Sequence, residues 1–184
     1  MIRLTILEEI QRLCTKMPSI VDLYEKDDPD FVQAVTVWLK EIEQSMIHSQ
    51  VHGTGQISAL RAQLASAGKG VVPEKIQIKG NPSLHKIKNA VASEVLSKAG
   101  KMVAEIVNPA FNQVGESLRL IGQMLPIAQK KGLLSNRILG GDMSVIWQKI
   151  QDDPDLGNIA LHVLGLTGKT DTLILFERSM SLLQ

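Results

Sequence analysis

Apolar positions recur in steps of three and four along most of this chain, the period of one helical face. Ile6, Ile10, Leu13 and Met17 predict an opening amphipathic helix. Pro18 should stop it, because proline lacks an N–H and clashes with the preceding turn. In the following Lys26-Asp27-Asp28-Pro29-Asp30, Asp28 has the chemistry of an N-cap and Pro29 fits the first helical position. Asp30 complements the positive end of the helix dipole.

The next stripe runs Val35, Trp38, Ile42, Met46, Ser49, Gly53, Ile57, Leu60, Leu64 and Ala67. Gly53 and Gly55 each cost about 0.8–1 kcal/mol inside a helix. The stripe nevertheless stays in phase across them. It predicts one helix over 30–68, closely approached by another at Ser49 and Gly53. A break at Gly53–Gly55, with Thr54 as a new N-cap, is the alternative. A third stripe runs from Leu84 through Val91, Met102, Ile106 and Val114 to Ala128. It holds phase through Pro109 and predicts a kink there, or two nearly collinear helices, 83–107 and 109–131. Gly132 after Lys130-Lys131 is a stop signal. Short helices over 142–151, 154–165 and 171–183 complete the chain, with a turn at Gly165–Gly168.

The expected fold is all-α: a long antiparallel helical hairpin over 30–131, packed with shorter N- and C-terminal helices in a single domain, 1–184. If the hairpin turns near residue 76, position i faces 152 − i, and His48 faces residue 104. Composition agrees with a helical globule. Aromatic residues make up 3%, hydrophobic residues 44% and charged residues 21%. No apolar run approaches the roughly 18–20 residues of a membrane helix. Arg3, Glu8, Glu9 and Arg12 interrupt what would be a signal-peptide core. The lone Cys14 excludes an internal disulfide framework and a thiolate zinc site. It fits a reducing cytosol, and a cytoplasmic location is the expectation.

The net charge of +1 is unevenly spread: −4 over 1–50, +8 over 51–140 and −3 over 141–184. A basic middle between acidic ends suits a polyanion partner or mutual neutralisation of ends and middle. The near-zero total favours the second, since dedicated nucleic-acid domains are usually basic overall. The connection 70–82 is longer than the roughly 2–8 residues usual between bundle helices. Within it Ile76 and Ile78 alternate with Lys75, Gln77 and Lys79, the pattern of a short extended segment. Lys69, Lys75, Lys79, His85, Lys86 and Lys88 form a basic tip suited to nonspecific phosphate contact. Without arginine or an aromatic ring there, it has no means of base readout. Ile76 and Ile78 are candidates for pairing with a second copy. Lys130, Lys131 and Arg137, at the far end, are expected beside Asp27, Asp28 and Asp30.

His48 and His52 are spaced i and i+4, as paired metal ligands on one helix face are. Glu105 is the nearest carboxylate on the facing rod, and the three could hold a divalent metal. No His-Glu-x-x-His accompanies them. Gly165-Leu166-Thr167-Gly168-Lys169-Thr170 echoes a phosphate loop, but Val163 stands where its first glycine should be. Cys14 reads as a core residue beside Leu13 and Met17. The expected function is that of a non-catalytic helical interaction or scaffold protein that self-associates. Nonspecific nucleic-acid binding at the 69–88 tip is the first alternative. A metal-dependent enzyme at His48 and His52 is the second. No organic cofactor and no membrane partner is expected. A homo-oligomer is, and another protein is a further candidate partner.

Overall fold

The computed structural model describes residues 2–48, 50–71, 83–134 and 142–182. Among these the fold is all-α, with seven helices and no strand. They are α1 (Leu4–Cys14), α2 (Met17–Glu25), α3 (Phe31–His48), α4 (Thr54–Ala67), α5 (Leu84–Lys130), α6 (Met143–Gln151) and α7 (Gly157–Ser181). The chain forms two compact units, one of Leu4–Asn108 with Ile2, the other of Pro109–Gln184 with Arg3.

In the first unit, α1 buries Leu4, Leu7, Ile10 and Leu13. Pro18 occupies the first turn of α2, where its missing N–H costs nothing. Asp28 and Pro29 do not open α3 as expected: the helix starts at Phe31, and the Asp30 carbonyl accepts its first bond from Ala34 N–H at 2.9 Å. Asp28 instead forms an Asx turn ahead of the helix, its Oδ1 accepting from the N–H of Asp30 at 2.9 Å and its carbonyl from Phe31 at 3.1 Å. Helix α3 then buries Phe31, Val35, Trp38, Leu39, Ile42 and Met46, and packs on α1, α2 and α4.

The single helix expected over 30–68 is not formed. The helical run ends at His48 and resumes at Thr54. Gln50 and Gly53 both take left-handed φ angles, 50° and 94°, which an α-helix does not allow. The chain turns back, so that Glu43 on α3 meets Ser58 and Arg61 on α4. The stripe stays in phase because α3 and α4 turn their apolar faces into the same core. Thr54 opens α4 as the alternative reading had it, but Gly53 is the N-cap and makes no side-chain cap bond. The Thr54 hydroxyl instead donates to the carbonyl of Val51 at 2.7 Å.

The close approach expected at Gly53 is present. A Cβ there would lie 2.8 Å from Ile106 Cδ1, and one on Gly68 would lie 4.0 Å from Lys88 Cε. These two contacts make α4 antiparallel to the first part of α5. The register differs from the expected one, in which Gly53 would face residue 99, because α4 alone, and not a rod from residue 30, packs there. Ser49 lies outside the described residues.

Helix α5 is continuous through Pro109 and Pro126. Each proline deprives one preceding carbonyl of its helical donor. The expected division at Pro109 is therefore absent as a helix end. Gly132, at φ 70°, ends the helix as expected. Leu133 N–H closes the end on the Ala128 carbonyl at 2.9 Å.

In the second unit Asp142 caps α6, its Oδ1 accepting from Ser144 N–H at 2.9 Å. Trp147 and Phe176 join α6 to α7 edge to face, with ring centroids 5.2 Å apart. Helix α7 is interrupted at Gly168, whose φ 76° and ψ 164° are open essentially to glycine alone. This break lies at the end of the expected Gly165–Gly168 turn. By length and composition α7 is long and apolar enough to cross a membrane, with a mean hydropathy of 1.3 over its most apolar window. It buries Ala160, Val163, Asp171, Thr172, Leu175 and Phe176 within the protein.

Candidate functional site

The residues singled out by sequence fall at several separate places. Lys69 follows the end of α4, while His85, Lys86 and Lys88 lie on the first turns of α5. Gly68 and Lys88 line one cleft, which puts these two helix ends side by side. Lys69, His85 and Lys86 are exposed and Lys88 is partly buried. Lys75, Lys79, Ile76 and Ile78 lie outside the described residues, as does Arg137.

Lys131 bridges the second Asp-Asp-Pro-Asp, with Nζ 2.7 Å from Asp153 Oδ1 and 2.5 Å from Asp155 Oδ2. The break at 48–54 removes the single rod on which the pairing expected with Asp27, Asp28 and Asp30 rested. Hydrogen bonds from Lys131 to Asp153, and then to Asp155, raise its ammonium above the ordinary value. The same Lys131 contact holds the Asp153 carboxyl below its ordinary value, helped by the N–H groups of Asp155 and Leu156.

Asp27 has different neighbours. It sits in the turn between α2 and α3 with φ 51°. Its Oδ1 accepts from Asn89 Nδ2 at 3.3 Å and lies 3.7 Å from His85 Nε2. Asn89 Nδ2 is also 3.2 Å from His85 Nε2. Asn89 is buried, and its Oδ1 has no hydrogen-bond partner among the described residues. Sequence reading missed this cluster because Asp27 and Asn89 are far apart along the chain and share no motif. The hint was His85 and Asn89 at i and i+4 on one face of a basic helix.

His48 is exposed at the end of α3, and His52 is exposed in the following turn. The shared helical face that made them a ligand pair is absent, because the helix ends between them. Glu105 is exposed on α5. Among the described residues no group of three or more His, Cys, Asp or Glu side chains is placed to hold a metal ion. Cys14 is half-buried, and that burial raises its thiol above the usual value, away from the reactive thiolate.

Sequence also did not single out Glu43. This carboxylate is buried in the apolar seam of α3, and it accepts from the Ser58 hydroxyl and the Arg61 guanidinium. Its neighbours Ile42 and Met46 drew attention because they fit the stripe. Helices α2 and α3 flank a groove of about 590 Å³. Ile20, Leu23, Ala34 and Val37 supply apolar lining, with Lys16 and Glu41 at one end and Asp30 at the other. Lys16 Nζ is paired with Glu41 Oε2 at 2.6 Å. Val21, Tyr24 and Val37 are large apolar side chains on this helix pair that remain 40–45% exposed. Comparison with protein-family models, curated proteins and solved structures finds no match for this chain.

Proposed function

We propose that the protein is a non-catalytic helical interaction protein that self-associates. The supporting observation is the α2–α3 groove, lined by Ile20, Leu23, Ala34 and the exposed Val37. Exposed apolar positions scattered singly need no explanation, but an apolar concave surface suits an interaction site. The groove also suits a second copy of itself. Lys16 and Asp30 are separated by the length of α2, nine residues or about 14 Å. A second copy related by a two-fold axis and laid antiparallel brings each Lys16 toward the other copy's Asp30. Such an isologous contact is the commonest form of homodimer.

Light scattering on a sizing column, run across micromolar concentrations, tests the reading. The expected result is a mass above the monomer's that Val37→Glu returns to the monomer. A strict monomer at every concentration overturns it.

A second reading has one observation in its favour. Gly68 and Lys88 line one cleft, and Lys69, His85 and Lys86 lie within three residues of them in the chain, so a polyanion's phosphates would meet several cations there. Asp27, beside His85, works against it. Anisotropy of labelled single-stranded RNA and of duplex DNA tests this reading. Binding that falls with salt and is lost in Lys69→Glu with Lys88→Glu supports it, and equal retention by the variant removes it.

A further inference from the structure

We propose that Asp27, His85 and Asn89 form a site for one divalent first-row transition cation of the Zn²⁺ or Co²⁺ type. The three side chains come from two elements that are remote in sequence, the α2–α3 turn and the first turns of α5. They make a triangle with edges of 3.2, 3.3 and 3.7 Å between Asn89 Nδ2, His85 Nε2 and Asp27 Oδ1. Ligands held at about 2.0–2.2 Å from a metal ion lie about 3.0 Å apart at right angles and about 3.4 Å apart at tetrahedral angles. A cation above this triangle therefore reaches all three corners with shifts of a few tenths of an ångström.

The donor types fit. Imidazole nitrogen, carboxylate oxygen and amide oxygen suit borderline divalent ions. The amide must first present its oxygen. A half-turn of the Asn89 side-chain amide exchanges Nδ2 for Oδ1 at the same corner. Oδ1 is buried and has no hydrogen-bond partner among the described residues, so the rotation breaks no bond to the oxygen, while it carries the amide N–H groups into the buried position that the oxygen leaves, a cost the metal bond must offset. The metal takes the place of the two hydrogen bonds that Nδ2 makes to Asp27 and His85. Asn89 is only 8% exposed and supplies a fixed inner corner. The side chains of Asp27 and His85 are 83% and 50% exposed, which leaves the outer positions of the ion to water. The positive end of the α5 dipole and the nearby Lys86 and Lys88 oppose a cation and weaken its binding.

Calorimetric titration of the full chain with Zn²⁺ chloride, together with the visible absorption of the Co²⁺ form, tests the site. One ion binds the wild type, and the Co²⁺ spectrum carries no thiolate charge-transfer band. His85→Gln and Asp27→Asn each weaken binding at least about tenfold, as loss of even an outer-shell partner can. Asn89→Asp tightens it, because a carboxylate needs no rotation. His48→Gln leaves it unchanged. Absence of binding to the wild type, or binding undiminished by His85→Gln and Asp27→Asn, overturns the proposal. Should Asn89→Asp lose helicity by circular dichroism, the two exposed-residue variants decide the matter alone.

Discussion

The indole Nε1 of Trp38 on α3 donates to the backbone carbonyl of Leu13 on α1 at 2.9 Å. The last carbonyls of any helix lack intrahelical donors, and this one accepts from the Lys16 N–H at 3.2 Å and from a buried side chain of another element. Trp38 therefore does two jobs at one contact. It fills the α1–α3 core, where it is 1% exposed, and it satisfies a helix end that water does not reach. Trp38→Phe keeps most of the ring volume but removes the indole bond, leaving the carbonyl its bond from Lys16 N–H. The expected cost is about 0.5–1.5 kcal/mol, read from urea unfolding.

Glu43 and Arg61 form the other buried polar link of the first unit. Arg61→Ala leaves the carboxylate buried with only Ser58. The full cost of breaking a buried pair is reduced because Arg61 is itself 39% exposed, and about 1–3 kcal/mol is expected. Lys16→Ala breaks a pair of which both members are well exposed, and it should cost under about 1 kcal/mol. Chemical unfolding of the two variants side by side checks the order.

Two neighbouring glycines should respond with opposite signs. Gly53→Ala demands φ 94° of an alanine and drives its Cβ to within 2.8 Å of Ile106 Cδ1. A loss of about 1–2 kcal/mol is expected for the backbone alone. Gly55 lies inside α4 with nothing within 4 Å of a new Cβ. Gly55→Ala should gain about 0.4–1 kcal/mol by restricting the unfolded chain. Melting temperatures of the pair decide it.

The Lys131–Asp153–Asp155 bridge carries a pH dependence of known sign. Asp153 is held below its ordinary value by Lys131. Its contribution is therefore present above the unfolded carboxyl value, and it is lost as the pH falls through the lowered folded value. Lys131 is raised by the same partners, so its contribution is present below the unfolded ammonium value and lost as the pH rises through the folded one. Asp153→Asn should flatten the acid limb of a stability–pH profile relative to wild type. An unchanged acid limb would assign that limb to other carboxylates.

The period of the apolar residues, by itself, determined that this chain is all-helical and where most of its helices lie. Local chemistry was equally legible in the stop at Gly132 and the break near Gly168, because each depends on residues within one turn of one another. What only the tertiary structure decided is which stripe meets which. Val35–Met46 and Ile57–Ala67 share a phase whether they lie on one rod or on two antiparallel helices, since periodicity records the face and not the direction of the chain. Two left-handed residues, Gln50 and Gly53, reverse the chain there. Every facing-residue expectation, from His48 opposite Glu105 to Lys131 beside Asp27, inherited the unbroken rod. The meeting of Asp27 with His85 and Asn89 is of the same kind. It arises from packing between elements more than fifty residues apart, and no local pattern encodes it.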